Sequence, residues 1–332
     1  MKTRHTKDYV AMWFDVRREQ GINDEMSVGP MDTLTREVDW HTFAHRDMDG
    51  LGGIATILRQ NGYPCAELPR SSEKAAPGFW EVLRLMFKKS APRPPRQVRW
   101  LRTYPDYREL NPENTNQAPI ATDFLTEAET TEVKQQAKKA RVALNVYLFW
   151  ALNRAISHHL MASGQPYYWF FPVNLRGAVN FDDDTQNCSS GVCILVSETI
   201  SPRELQEAIK TEIKAKAHWV MWVQGHIGKL IGKRGVRWIY QKMSQRNHYA
   251  GSFSFLGSWP LQEAGAPDPV DNQVWVSCGI GTENYPVSTG ILLWHNQLTL
   301  GLKLHPYICR DFALTQQCLQ TWKQTLLGGV HG

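Results

Sequence analysis

The sequence predicts an α/β fold in which mixed sheets are layered with helices and divided between two lobes. Three observations lead there. Continuous apolar runs of strand length occur at Tyr167–Asn174 and at 191–198, as in strands covered on both faces. Capped helical segments are interspersed with the strands in irregular order, unlike a regular strand–helix–strand array. A length of 332 residues also exceeds one average domain, so one large body or two coupled lobes is expected.

The first thirty residues carry few signals beyond an amphipathic stretch over 9–17. Residues 38–43 (VDWHTF) are rich in β-branched and aromatic side chains and read as a short strand. A loop runs from Ala44 to Gly50, and a helix over 51–60 is entered through glycines and closes near Gly62. Residues 79–89 read as a short helix. Six prolines at 92, 94, 95, 105, 112 and 119 mark the segment 90–120 as a partly extended bridge. The division is therefore an N-terminal lobe with its bridge at 1–120 and a C-terminal lobe at 121–332.

In the second lobe Thr126, with Glu129 three residues on, forms a capping box for a helix to about Ala140. The largely apolar stretch Leu144–Leu160 is predicted to be a buried helix. Ser201 caps a helix over 202–216. Strands are expected at 252–256, 273–279, 290–294 and Gln297–Leu304, with a closing helix over 311–327. Between 219 and 243, Trp219, Trp222, Leu230, Ile231 and Trp238 mingle with Lys229, Lys233, Arg234 and Arg237. Two readings fit: a core helix with glycines for close packing, and a basic amphipathic element touching anionic membrane or lipid substrate. The first is preferred.

Composition excludes several classes. Hydrophobic residues make up 42% and charged residues 21%, which suits a globular core and not a disordered chain. No run approaches the 18 or so apolar residues of a membrane span. The basic, polar N-terminus has no apolar stretch resembling a secretory signal. Six cysteines contain no Cys-x-x-Cys pair, so free thiols in a reducing cytoplasm are expected. Peripheral membrane contact is the one added possibility. The net charge of +5 is concentrated: seven Lys or Arg and no acid at 82–104, and eight with no acid at 213–261. Such stretches suit phosphate-bearing or acidic partners; nucleic acid is not expected among them.

The chemistry-bearing segment is His45-Arg46-Asp47-Met48-Asp49-Gly50, a His-x-x-x-Asp-Gly pattern between a strand and a glycine-rich helix entry. A histidine at a strand end can present a ring nitrogen to a cleft, and its ordinary pKa suits proton abstraction near neutral pH. An aspartate four residues on, in a loop closed by Gly50, can turn back and hold that loop. His41, His45 and Asp49 also stand at i, i+4 and i+8, which on a helix would allow a metal-dependent hydrolase. Gly50, Gly52 and Gly53 break such a helix, and 38–43 favours a strand.

The pattern resembles the active-site signature of the chloramphenicol acetyltransferase-like superfamily, which includes peptide-synthetase condensation domains, alcohol acetyltransferases and wax-ester synthases. Pro172-Val173-Asn174-Leu175-Arg176-Gly177 is similar to the segment after the first strand of that family's second lobe. Gln186-Asn187-Cys188-Ser189-Ser190-Gly191 resembles the loop that follows, and Gly251-Ser252-Phe253-Ser254-Phe255-Leu256-Gly257 the strand near the lobe crossover. The resemblance covers roughly residues 31 to 328.

It implies a two-lobed fold with an active-site tunnel at the junction and an acyltransferase with His45 as general base. Asp49 would face away from substrate and pair with Arg176, an arrangement that a buried carboxylate and an arginine fork favour. Ser254, or the loop of Asn187 and Ser189, would donate to the oxyanion. The donor would be a thioester on CoA or on a carrier protein's phosphopantetheine, and the acceptor a hydroxyl or amine of a small molecule or lipid. No metal or redox cofactor is implied. Three departures stand out: Ala44 replaces a first histidine common among relatives, only 44 residues precede the motif, and an Asp-Phe-Gly-Trp-Gly latch is missing. The last weighs against an ordinary condensation domain. A catalytically inactive binding module is a further alternative, which the joint presence of His45, Asp49 and Arg176 argues against.

Overall fold

The computed structural model describes residues 9–65, 67–73, 75–87, 98–110, 118–244, 248–261, 265, 267 and 270–328. In its first half it has α1 (Ala11–Arg18), β1 (Glu25–Asp32), β2 (His41–Ala44), α2 (Gly50–Gln60), α3 (Phe79–Phe87), α4 (Tyr107–Leu110), β3 (Ile120–Phe124), α5 (Glu127–Ala140) and α6 (Leu144–Leu160). Then come β4 (Tyr167–Asn174), β5 (Ser189–Val196), α7 (Pro202–Lys214), α8 (Ala217–Gly225) and α9 (Gly228–Ser244). The chain continues through β6 (Gly251–Ser252), β7 (Phe255–Trp259), β8 (Gln273–Cys278), β9 (Val287–Trp294), β10 (Gln297–Leu304) and α10 (Phe312–Leu326).

The apolar runs of the second half build a seven-stranded sheet in the order β3-β10-β9-β6-β4-β5, with β7 also beside β9. It is mixed: β3, β10 and β9 are antiparallel in turn, as are β4 and β5, while β6 and β7 run parallel to β9. Phe149, Leu152 and Ile156 of α6 and Trp322 of α10 share one apolar core with Trp169, Ile194 and Leu300 of this sheet. Burying each such side chain contributes about 1.5–3 kcal/mol. The expected caps are present. Thr126 and Glu129 complete a capping box at α5, and Ser201 and Glu204 complete one at α7.

A second sheet has the order β2-β1-β8, all antiparallel. Its core holds Met26, Val28, Phe43, Ile54, Leu58 and Trp275. The two sheets meet where β8 crosses β9 and β10 at two glycines. A Cβ on Gly290 would lie 2.4 Å from the Ser277 carbonyl carbon, and one on Gly301 would lie 2.0 Å from the Ser277 oxygen. Only backbone fits there.

Several elements differ from expectation. β1 left no mark in the sequence because Gly29 and Pro30 interrupt its propensity pattern. A Cβ at Gly29 would strike the Asp39 carbonyl, so close chain approach requires the glycine. The strand expected over 38–43 is reduced to β2, with Val38 bridging Met31 alone. The strand expected over 252–256 is split into β6 and β7, which keep one register against β9; a register shift follows within β7, between Phe255 and Ser258. The stretch 219–243 forms α8 and α9, the latter kinked at Gly232 with φ of 63°. Its Trp219, Trp222 and Val236 are buried, whereas Leu230 and Trp238 are exposed. Lys233 and Arg237 are both paired with Glu19, at 2.8 and 2.6 Å.

The six cysteines stand outside any disulfide. Among the described residues no helix is long and apolar enough to cross a membrane. Lys88, Lys89, Arg93 and Arg96 of the first basic stretch lie outside the described residues, as does Arg246 of the second.

Candidate active site

His45 follows the last residue of β2, and its loop is anchored by the buried Asp24. The His45 amide donates to the Asp24 carbonyl at 2.9 Å, and the Arg46 amide donates to the Asp24 carboxylate at 2.9 Å. The imidazole packs on Phe14 of α1, ring centroids 4.8 Å apart. Its Nδ1 lies 3.1 Å from the Met48 carbonyl oxygen. A carbonyl only accepts, so Nδ1 carries the hydrogen and Nε2 keeps its lone pair. Burial pushes the His45 pKa below the ordinary histidine range; Asp49 opposes that shift and Arg17 adds to it. The ring is therefore neutral at pH 7, with Nε2 ready to take a proton.

Asp49 is the N-cap of α2, accepting from the Gly52 amide at 3.0 Å. Its carboxylate also receives a two-pronged contact from Arg176, Nη2 to Oδ1 at 2.7 Å and Nη1 to Oδ2 at 2.9 Å, and the Cys188 amide at 3.0 Å. Asp49 and Arg176 are 3% and 4% exposed, so neither charge is solvated and each depends on the other. Arg176 further donates to the carbonyls of Asp184 and Gln186 and to the Asn174 side chain. Asp49 is thus fully engaged in holding the loop. The helix comes close enough for this because its entry has no side chains: a Cβ on Gly52 would strike the Thr185 oxygen at 1.9 Å, and one on Gly53 the Phe43 ring at 2.0 Å. Gly50 lies under Leu256, whose Cδ2 a Cβ would approach to 2.9 Å.

These residues border a cavity of about 420 Å³ to which His45, Ser189, Ser254 and Phe170 contribute, drawing on both sheets. The Ser189 and Ser254 side chains line it, and the Ser254 amide is spent on Thr289 Oγ1 at 3.1 Å. Asn187 corrects an expectation. Both hydrogens of its amide go to main-chain carbonyls, His45 at 2.7 Å and Arg46 at 3.1 Å, so none is left for an oxyanion. It is a positioning residue for the base.

The three residues that a metal-dependent hydrolase would need do not converge. His41 lies in β2 with its ring over Trp275, centroids 6.4 Å apart, and Asp49 is taken by Arg176. Among the described residues no group of three His, Cys, Asp or Glu side chains is placed to hold a metal ion. The sequence reading also missed contributors: Asp24, and Phe14 and Arg17 of α1. The amphipathic pattern over 9–17 marked the helix but not that its 10, 14, 17 face looks onto His45.

Neither a family model nor a curated protein sequence matches the chain. Solved structures match its fold. Polyketide synthase associated protein 5 from Mycobacterium tuberculosis superposes with a TM-score of 0.50 at 11% identity, over 86% of this chain and 72% of that one. The EpoB NRPS cyclization-docking bidomain from Sorangium cellulosum superposes with a TM-score of 0.50 at 12% identity, over 86% of this chain and 59% of that one.

Proposed function

We propose that this chain, which has the fold of the chloramphenicol acetyltransferase-like superfamily, is an acyltransferase that moves an acyl group from a thioester to a hydroxyl or amine. The observation that carries this reading is the His45 tautomer: Nδ1 is committed to the Met48 carbonyl, leaving Nε2 basic on a ring that borders the cavity. As the acceptor oxygen or nitrogen attacks the thioester carbonyl, Nε2 takes its proton and the carbonyl oxygen becomes an oxyanion. The hydroxyls of Ser254 and Ser189, which line the same cavity, are the candidates to donate to it. Collapse breaks the carbon–sulfur bond, and the leaving thiolate recovers the proton from His45. This route calls on no metal or redox cofactor.

The donor is CoA or a carrier-bound phosphopantetheine. One structural neighbour is described as polyketide-synthase-associated and the other as part of an NRPS, a setting that supports a carrier-bound thioester. On this reading residues 1–120 supply the base and 121–332 the arginine that fixes its loop, and the cavity continues as a tunnel open at both ends. Thiol release from a panel of acyl-CoA and carrier-bound thioesters, with alcohols and amines as acceptors, tests it. Acylated product formed only with intact His45 supports the proposal. Binding without turnover across the panel would make the chain an inactive binding module instead.

A further inference from the structure

Among the described residues, the charged side chains that border the cavity are Arg17, Asp49 and Arg176. Asp49 and Arg176 neutralise one another at 2.7 Å. Arg17 has no carboxylate within ion-pairing distance among the described residues. Its guanidinium rests on the Phe14 ring, 5.3 Å from the centroid, and Phe14 is the same ring that packs on His45. An uncompensated cation thus faces a largely apolar cavity one phenyl ring away from the base.

A second group points the same way. Tyr285 borders the cavity and is stacked on Tyr249, centroids 4.6 Å apart with planes 7° from parallel. Burial raises the pKa of Tyr285 above the ordinary tyrosine range, so its hydroxyl keeps its proton and remains a donor. Ser288, 1% exposed, also borders the cavity, and its hydroxyl has no hydrogen-bond partner among the described residues. A buried polar group without a partner is costly unless something fills that role.

We infer that the cavity selects a substrate bearing a carboxylate, which Arg17 receives while the reacting group lies at His45 Nε2. This rests on the acyltransferase reading and names its substrate class: a dicarboxylic acyl group, or a hydroxy or amino acid as acceptor. An arginine fork matches a carboxylate in shape and charge, and the apolar wall strengthens the attraction relative to open water. One cation balances one negative charge. A phosphate dianion would leave an uncompensated charge in an apolar site.

Two matched pairs test this in the wild-type protein, Arg17→Lys and Arg17→Gln. Succinyl-CoA is compared with butyryl-CoA at a fixed acceptor, and 4-hydroxybutyrate with 1-butanol at a fixed donor. The wild type should prefer the charged member of one pair in kcat/KM. That preference should fall about 10- to 100-fold in Arg17→Gln, as for loss of a charge-assisted hydrogen bond, and less in Arg17→Lys. The pair that responds assigns the carboxylate to the acyl group or to the acceptor. A rise in KM for every CoA thioester alike would overturn the inference, placing Arg17 on the donor's phosphates. Calorimetric binding of succinate separates this from the acyltransferase reading, because it needs no turnover. Binding retained in His45→Ala and lost in Arg17→Gln supports the carboxylate subsite even where no acyl transfer occurs. No succinate binding together with no charge preference would sink it.

Discussion

The side-chain amide of Asn187 grips the peptide of the base itself, donating to the His45 carbonyl at 2.7 Å and to its neighbour's at 3.1 Å. A residue just before β5 thereby fixes a loop that follows β2. Asn187→Ala leaves both carbonyls short of a donor and should cost about 1–3 kcal/mol. The His45 loop should loosen, lowering kcat more than it raises KM for the donor. A chemical-denaturation curve and steady-state kinetics on the same preparation check both effects.

His45→Ala should lower the rate of thioester consumption by about 10²–10⁴-fold, the usual contribution of a general base. Circular dichroism and donor affinity should be nearly unchanged, since the loop is held through main-chain bonds to Asp24 and Asn187. Full activity in a folded variant would remove His45 from the mechanism.

Asp49 and Arg176 should behave as one unit. Either Asp49→Ala or Arg176→Ala strands a buried charge and should cost about 3–5 kcal/mol, with activity falling alongside. The double variant should lose much less than the two single losses added together. Simple additivity in a denaturant cycle would contradict the pairing.

The pH profile follows from the environment of His45. Because burial lowers its pKa below the ordinary 6.5, the acid limb of kcat/KM should lie below pH 6.5. Arg17 contributes to that lowering and Asp49 opposes it. Arg17→Gln should therefore move the limb to higher pH, and Asp49→Asn to lower pH. In stability the sign is also set. The unfolded chain binds a proton at His45 that the folded chain resists, so this group's contribution falls as pH drops below about 6.5.

Gly52→Ala should be disproportionately harmful for one methyl group. Its Cβ would overlap the Thr185 carbonyl oxygen, and backbone there cannot give way without moving the loop that carries Asn187 and Cys188. A loss of about 1–3 kcal/mol or more is expected, with activity reduced because Asp49 shifts. Thermal unfolding of the variant measures it.

Local signals in the sequence were legible where one segment decides its own structure. Tyr167–Asn174, Leu144–Leu160 and Gln297–Leu304 form the elements their apolar patterns indicate, with the same bounds. Thr126 and Ser201 cap as their spacing requires. The His-x-x-x-Asp-Gly pattern and Arg176, far apart in sequence, come together at the candidate site, where Asp49 and Arg176 pair. What stayed hidden depends on distant partners. Nothing in 25–32 announces a strand, since Gly29 and Pro30 serve contacts made with Asp39 and Trp275. Asn187 read as an oxyanion donor because its sequence gives its residue type but not which carbonyls lie opposite. Arg17 looked like one charge on an amphipathic helix until the packing of Phe14 on His45 turned that face inward.

The pairing of β1 with β8 also orders events during synthesis. β1 and β2 leave the ribosome before β8, and β1 finds its second neighbour only after residues 273–278 have emerged. Until then its edge is unpaired and open to strands of other chains. Contacts this far apart in sequence form slowly. The loop of His45, synthesised well before β8, is therefore among the last parts to settle. Nascent chains stopped before residue 273 should be aggregation-prone and should leave this loop readily cleaved by proteases, although nothing within it has been altered.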